Sequence, residues 1–242
     1  MRYLFLLLFL LVSQLTYATD ATPGYQDALN QFVEKSKTTK SPFSEADMAV
    51  MEKADKDLAA AMPDPGIKVG ATAPNFTLKN ALGKNISLRD ELKKGPVVLV
   101  FYRGAWCPFC NMHLHVLQQN LGEFKKYGAQ LITVTPQTSD KSAEQIKKDG
   151  YPFEVLSDLD SKVMKDYKLY YELPADLVAV YKSHGLDIEA FNGKGRNLLP
   201  VPGSFVIDKK GVVRAMQAQT DYKQRMEPAA IIKTLKILAS EK

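Results

Sequence analysis

Cys107 and Cys110 are the only cysteines in a chain of 242 residues, and two residues separate them. Such a pair can pass between dithiol and disulfide, and the thiolate is its reactive form. The alternative is a structural staple, but a bridge closing so small a loop removes little entropy from the unfolded chain and stabilises weakly. Redox chemistry is therefore the first reading. Arg103, four residues ahead, brings a positive charge to the pair.

The elements around the pair favour that chemistry. Val97-Val98-Leu99-Val100-Phe101-Tyr102 is an unbroken apolar run, as expected of a strand buried on both faces. Arg103-Gly104 ends it. Beyond the cysteines Leu114, Leu117, Leu121 and Phe124 recur at spacings of three, four and three, which predicts one helix over 108–127. Pro108 suits the first turn of that helix, where its missing N–H costs nothing. The cysteines thus fall where a buried strand gives way to a helix N-terminus, whose free N–H groups and positive dipole end favour a thiolate.

The ends and the composition set the context. Met1-Arg2 begins the chain, Tyr3 to Val12 is almost wholly apolar, and Thr16-Tyr17-Ala18 offers small residues at a cleavage site. This pattern reads as a secretory signal peptide over 1–18, too short in its apolar part for a comfortable membrane span. Its removal leaves 224 residues, enough for one domain with a sizeable core, and lowers the net charge from +5 to +4 by the loss of Arg2. Scattered lysines and so small a charge argue against nucleic-acid binding, and no stable membrane partner is expected. Export, to a periplasm or the exterior, implies an oxidising compartment in which an exposed cysteine pair tends toward the disulfide.

Residues 19–66 form an N-terminal helical extension. Ser44 with Asp47 makes a capping box, and Met48, Met51, Ala54, Leu58 and Met62 trace a helix face that packs on the domain or a partner rather than a copper-binding surface. Residues 67–242 form one domain. A hairpin is expected at 77–88, a strand at 130–134, a helix at 141–148, a strand at 153–156 and a short helix at 161–167. Residues 170–200 are an insertion with a helix from near Pro174 and a loop through Gly193 and Gly195. A strand at 204–208, a tight turn at Lys209-Lys210-Gly211, a returning antiparallel strand and a helix from Pro228 complete the chain. Strands alternating with helices around a mixed central sheet, with a Cys-x-x-Cys at a strand-to-helix turn and Val201-Pro202 before a later strand, give an α/β, thioredoxin-like layout.

The chain resembles the alkyl hydroperoxide reductase/thiol-specific antioxidant family, in its peroxiredoxin-like branch with an Arg-Gly-x-Trp-Cys-Pro-x-Cys site. The resemblance rests on Val69-Gly70…Ala73-Pro74-x-Phe76-x-Leu78, Phe101 to Cys110, Thr135-Pro136-Gln137, Pro202 to Gly211, and Asp221-Tyr222…Arg225-Met226-Glu227-Pro228. It implies that Cys110 falls on the peroxide-reactive cysteine and that Pro202 is a cis-proline facing the pair. Against the family pattern Pro-x-x-x-Thr-x-x-Cys, Arg103 replaces the proline and Cys107 the threonine, and Pro202 stands where an arginine precedes the later strand.

The resemblance implies a thiol-dependent peroxidase. Cys110 would attack hydrogen peroxide or an organic hydroperoxide, Cys107 would resolve the product, and a thioredoxin-like reductant would recycle the disulfide without a cofactor. Arg103, Trp106 and Pro202 would support the site. A second reading, an exported thiol–disulfide oxidoreductase, makes Cys107 the nucleophile and Cys110 the resolving thiol. A third, metal binding by Cys107, Cys110, His113 and His115, is weakened because His115 points away from the helix face that Cys110 and His113 share, so no metal is expected. The sequence leaves open whether the N-terminal helices form a lid or the arm of a homodimer.

Overall fold

The computed structural model describes residues 23–241, so the proposed signal peptide lies outside the described residues. No described helix is long and apolar enough to cross a membrane. The centre of the molecule is β3 (Val97–Phe101), every residue of which is buried. It pairs in parallel with β4 (Gln130–Thr135) and antiparallel with β8 (Gly203–Ile207). β5 (Glu154–Ser157) continues the parallel set beside β4. The hairpin β1 (Thr77–Asn80) and β2 (Asn85–Ser87) extends that edge, and β9 (Val213–Ala218) closes the other, for the order β2-β1-β5-β4-β3-β8-β9.

Alternation along these strands builds two apolar layers. Leu99, Phe101, Ile132, Val134, Phe205 and Ile207 face one side, where Tyr167 fills the middle. Val98, Val100, Leu131 and Val206 face the other, under α4 (Pro108–Gln119), α5 (Leu121–Lys126) and α10 (Pro228–Ser240). Coverage on both faces explains why the central strand is apolar throughout. The parallel strands are joined by α4 and α5 and then by α6 (Ser139–Asp149), as crossovers require.

The single helix expected over 108–127 is two helices. Buried Asn120, with φ −97° and ψ 3°, separates them and turns its Nδ2 to the carbonyls of Val116 and Pro23. An asparagine that bonds the carbonyl four residues back competes with the helix ladder. The insertion also holds more than expected. β6 (Tyr170–Glu172) pairs antiparallel with β7 (Leu198–Pro200), and between them lie α8 (Ala175–Ser183) and the short α9 (Glu189–Asn192).

Two helices precede the sheet. α2 (Glu45–Ala61) begins at the Ser44–Asp47 capping box, both hydrogen bonds of which are made. It packs on α8, with Ala54 buried beside Leu173 and Leu177, while Leu58 and Met62 rest on the main core. α1 (Tyr25–Ser36) packs on α4.

Candidate active site

β3 delivers the chain to the site and α4 carries it away. Cys107 is the N-cap of α4 and Pro108 its first residue. Both thiols are buried and reduced, each about 1% exposed. Their sulfurs lie 2.8 Å apart, in hydrogen-bond contact.

The surroundings act on the two thiols in opposite directions. Burial pushes both thiols up, but for Cys110 it is outweighed by the hydrogen bond from Cys107, the charges of Arg225 and Arg103, and the Arg103 backbone N–H, which together lower its pKa to about 6. For Cys107 burial acts with the hydrogen bond to Cys110 and the neighbouring negative charge, and its pKa stands well above the usual thiol value. These directions favour a Cys110 thiolate accepting from a Cys107 thiol.

Two guanidinium groups frame the thiolate. Arg225 Nη2 lies 3.4 Å from Cys110 Sγ. Arg103 is 4% exposed, with its Cζ 4.4 Å from the Tyr222 ring centroid and 4.9 Å from that of Trp106. Its Nη2 donates to the Tyr181 hydroxyl at 3.2 Å, and its buried Nε has no hydrogen-bond partner among the described residues. Burial works against the charge on Arg103, but Tyr171, Cys107, Tyr181 and Cys110 outweigh it, so the side chain stays protonated.

The loop between strand and helix is fixed by buried amides. Gln137 Oε1 accepts from the Ala105 N–H at 3.0 Å, and its Nε2 donates to Gln145, to the Tyr102 hydroxyl and to Ser142. Gln145 Nε2 reaches Asn111, whose Nδ2 donates to the Ala105 carbonyl at 2.7 Å. Gly104 has φ +152°, and a Cβ there would lie 2.5 Å from Trp106 Nε1, so only glycine lets the indole pack so close to the chain.

Of the residues expected from sequence, Cys107, Cys110, Arg103 and Trp106 come together here. Pro202 is buried, one residue beyond the Phe101–Gly203 strand pair. Its peptide bond is trans, like every other described bond, and this corrects the cis-proline implied by the resemblance. Trans is the lower-energy isomer of an X–Pro amide. The histidines part company. His113 is buried with its Nε2 3.1 Å from the Met226 carbonyl, whereas His115 approaches Gln118. No group of three or more His, Cys, Asp or Glu side chains is placed to hold a metal ion among the described residues.

Sequence reasoning missed three parts of the site. Arg225 lies 115 residues from Cys110 in the chain. It belongs to one of the stretches that carry the resemblance, but nothing local marks it as a partner of the cysteines. Tyr222 and Tyr181 stack on or bond Arg103 from the segment after β9 and from α8. They also line a cleft of about 470 Å³ that runs between α2 and the insertion, with Leu58, Tyr171 and Leu177, and Arg103 reaches into it. The Gln137 network joins the loops after β3 and β4 to α4 and α6, and its only signal is Gln137 beside Thr135-Pro136.

The AhpC/TSA family model matches residues 69–216. Peroxiredoxin Q, chloroplastic, from Oryza sativa subsp. japonica is 32% identical over 175 residues, 72% of this chain and 68% of its own length. The protein of the same name from Sedum lineare is 31% identical over 174 residues, 72% of this chain and 78% of its own. The fold is shared with peroxidoxin BcpB from Mycobacterium tuberculosis, at TM-score 0.56 and 22% identity over 71% of this chain and 98% of that one. Xanthomonas campestris peroxiredoxin Q follows at TM-score 0.53 and 20% identity, covering 72% and 97%. With a family model matched over more than half its length and relatives above 30% identity, the chain belongs to the AhpC/TSA family as a peroxiredoxin-type thiol peroxidase.

Proposed function

We propose that Cys110 is the peroxide-reactive cysteine and Cys107 its resolving partner within a single helical turn. The observation that carries this is the opposite treatment of two adjacent thiols: Cys110 is held as a thiolate by Arg225 and Arg103, while Cys107 keeps its proton. The Cys110 thiolate attacks one oxygen of a hydroperoxide, R–O–O–H. The O–O bond breaks, Cys110 becomes a sulfenic acid, and the leaving alkoxide takes a proton to become R–OH. Arg103, with its unpaired Nε, and Arg225 stabilise the negative charge on the separating oxygens.

The second step follows from the first. Once Cys110 is a neutral sulfenic acid, the negative charge that held the Cys107 proton is gone, while Arg103 and Arg225 still favour a Cys107 thiolate. Cys107 then attacks the Cys110 sulfur, the S–O bond breaks as the disulfide forms, and the departing hydroxide takes up a proton, matching the one Cys107 gave up, to leave as water. A dithiol reductant of the thioredoxin type restores the pair by exchange and is itself oxidised to a disulfide. The protonated state of Cys107 speaks against the alternative in which it leads an attack on substrate disulfides.

Hydrogen peroxide and organic hydroperoxides are the proposed substrates, and we place the protein outside the cytoplasm through a signal peptide over 1–18. Steady-state peroxide consumption with a thioredoxin system tests the reading. The wild type should turn over, Cys110→Ser should be inactive, and Cys107→Ser should react once and stop. Turnover by Cys110→Ser, or none by the wild type, would reject it.

A further inference from the structure

We propose that Tyr25 and Glu227 are positioning residues that hold Arg225 against Cys110, so that α1 helps to set the reactivity of the thiolate. The proposal rests on the reading of Cys110 as the reactive cysteine. Arg225 lies between β9 and α10 in a segment without secondary structure that must be fixed by its neighbours. Three attachments fix it. The Tyr25 hydroxyl donates to the Lys223 carbonyl at 2.7 Å. The Glu227 carboxylate accepts from the backbone N–H groups of Tyr25 and Gln26, both at 2.8 Å. His113 Nε2 holds the Met226 carbonyl, and the Tyr25 ring meets the His113 ring edge-on at 5.4 Å.

The use made of Glu227 is telling. It is the N-cap residue of α10 but gives its own helix no side-chain hydrogen bond. It caps α1 instead, 201 and 202 residues away, where Gly24 offers no side-chain cap. A charged cap at a helix start is favourable, so the start of α1 and the Arg225 segment are tied by a contact that serves both. Tyr25 is 1% exposed although the rest of α1 is largely open, so the first residue of the helix is the one most deeply anchored where α1 packs on α4. Asn120 adds a further tie to the same end of the strap through the Pro23 carbonyl. In this clasp α1, Arg225 and Glu227 all lie outside residues 69–216, the part of the chain matched by the family model.

The sign of one substitution separates positioning from simple charge. If Glu227 acted only as a nearby negative charge, its removal would favour the thiolate and lower the pKa of Cys110. If it positions Arg225, its removal raises that pKa. The experiment is iodoacetamide alkylation of the reduced protein from pH 4.5 to 9, followed at Cys110 by peptide mass, with thermal unfolding as a check on folding. The wild-type midpoint should fall at about 6. Glu227→Ala should raise it by about one unit, Glu227→Gln by less because one acceptor oxygen remains, and Arg225→Gln should raise it and abolish any further effect of Glu227→Ala in the double variant. A midpoint unchanged or lowered in folded Glu227→Ala overturns the proposal. Should Glu227→Ala fail to fold, Tyr25→Phe decides in the same assay, a rise supporting the clasp and no rise rejecting it. Alkylation involves no peroxide, so its outcome is read separately from whether the protein turns peroxide over.

Discussion

At the scale of single residues, reactivity turns on which of two touching thiols loses its proton. Burial alone would keep both neutral, and two guanidinium groups with one hydrogen bond reverse this for Cys110 only. Arg225→Gln should therefore raise the Cys110 pKa by about one to three units and slow peroxide reduction at pH 7 by about tenfold or more, as stopped-flow kinetics would show. For the wild type the sign is fixed by the thiolate being the reactive form. The rate should be level well above pH 6 and fall by about tenfold per unit below it as Cys110 takes up its proton. Gly104→Ala should displace Trp106 from beside Arg103, since the new Cβ would meet Trp106 Nε1 at 2.5 Å. The fluorescence of Trp106, the only tryptophan of the chain, would change accordingly. Cys107, Cys110 and Arg103 were legible in sequence because they lie within eight residues of one another, and Trp106 through the family resemblance of the same stretch. Arg225 was not, because its meaning comes from a contact across 115 residues of chain.

At the scale of elements, the site is the junction of β3 and α4, braced from below by the Gln137 network and from the side by α1. The strand and the start of the helix could be read from an apolar run followed by a three-four spacing. The break at Asn120 could not, because the apolar spacing continues through it to Leu121 and Phe124 while a single buried amide redirects the backbone. β6 and β7 are three residues each and one ends in proline, too short for periodicity to declare them. Gln137→Leu should destabilise the fold by about 1–3 kcal/mol in urea unfolding, because it leaves the Ala105 N–H without its partner and removes the donor to Gln145, Tyr102 and Ser142. His113 gives the brace a pH dependence. Burial first, and then the charge of Arg225, lower its pKa to about 3, so it is neutral in the folded protein at neutral pH. Between pH 6.5 and 3 the unfolded chain binds the proton that folded His113 refuses, so this group's contribution is intact at pH 7 and is lost as pH falls through that window. Asp158, raised to about 6 chiefly by burial, runs the opposite way. The test is therefore a difference: stability of wild type minus His113→Gln, by urea unfolding, should shrink from pH 7 to pH 5.

At the scale of the whole molecule, a seven-stranded mixed sheet carries a thiol pair that is almost fully covered, with Arg103 reaching from it into a cleft formed by the N-terminal helix α2 and the insertion. The general architecture was legible because strand and helix patterns alternate over most of the chain. The way the added helices close over the site was not, since α1 and α2 are amphipathic segments whose sequence does not name the surface they cover. The most direct test of the account is the intact mass of the reduced protein, quenched within seconds of adding one equivalent of hydrogen peroxide, in wild type and both single-cysteine variants. The account predicts loss of two hydrogens in the wild type, one added oxygen in Cys107→Ser, and no rapid change in Cys110→Ser. Rapid oxidation of Cys110→Ser at Cys107, or oxidation of the wild type no faster than that of a free thiol, would contradict it.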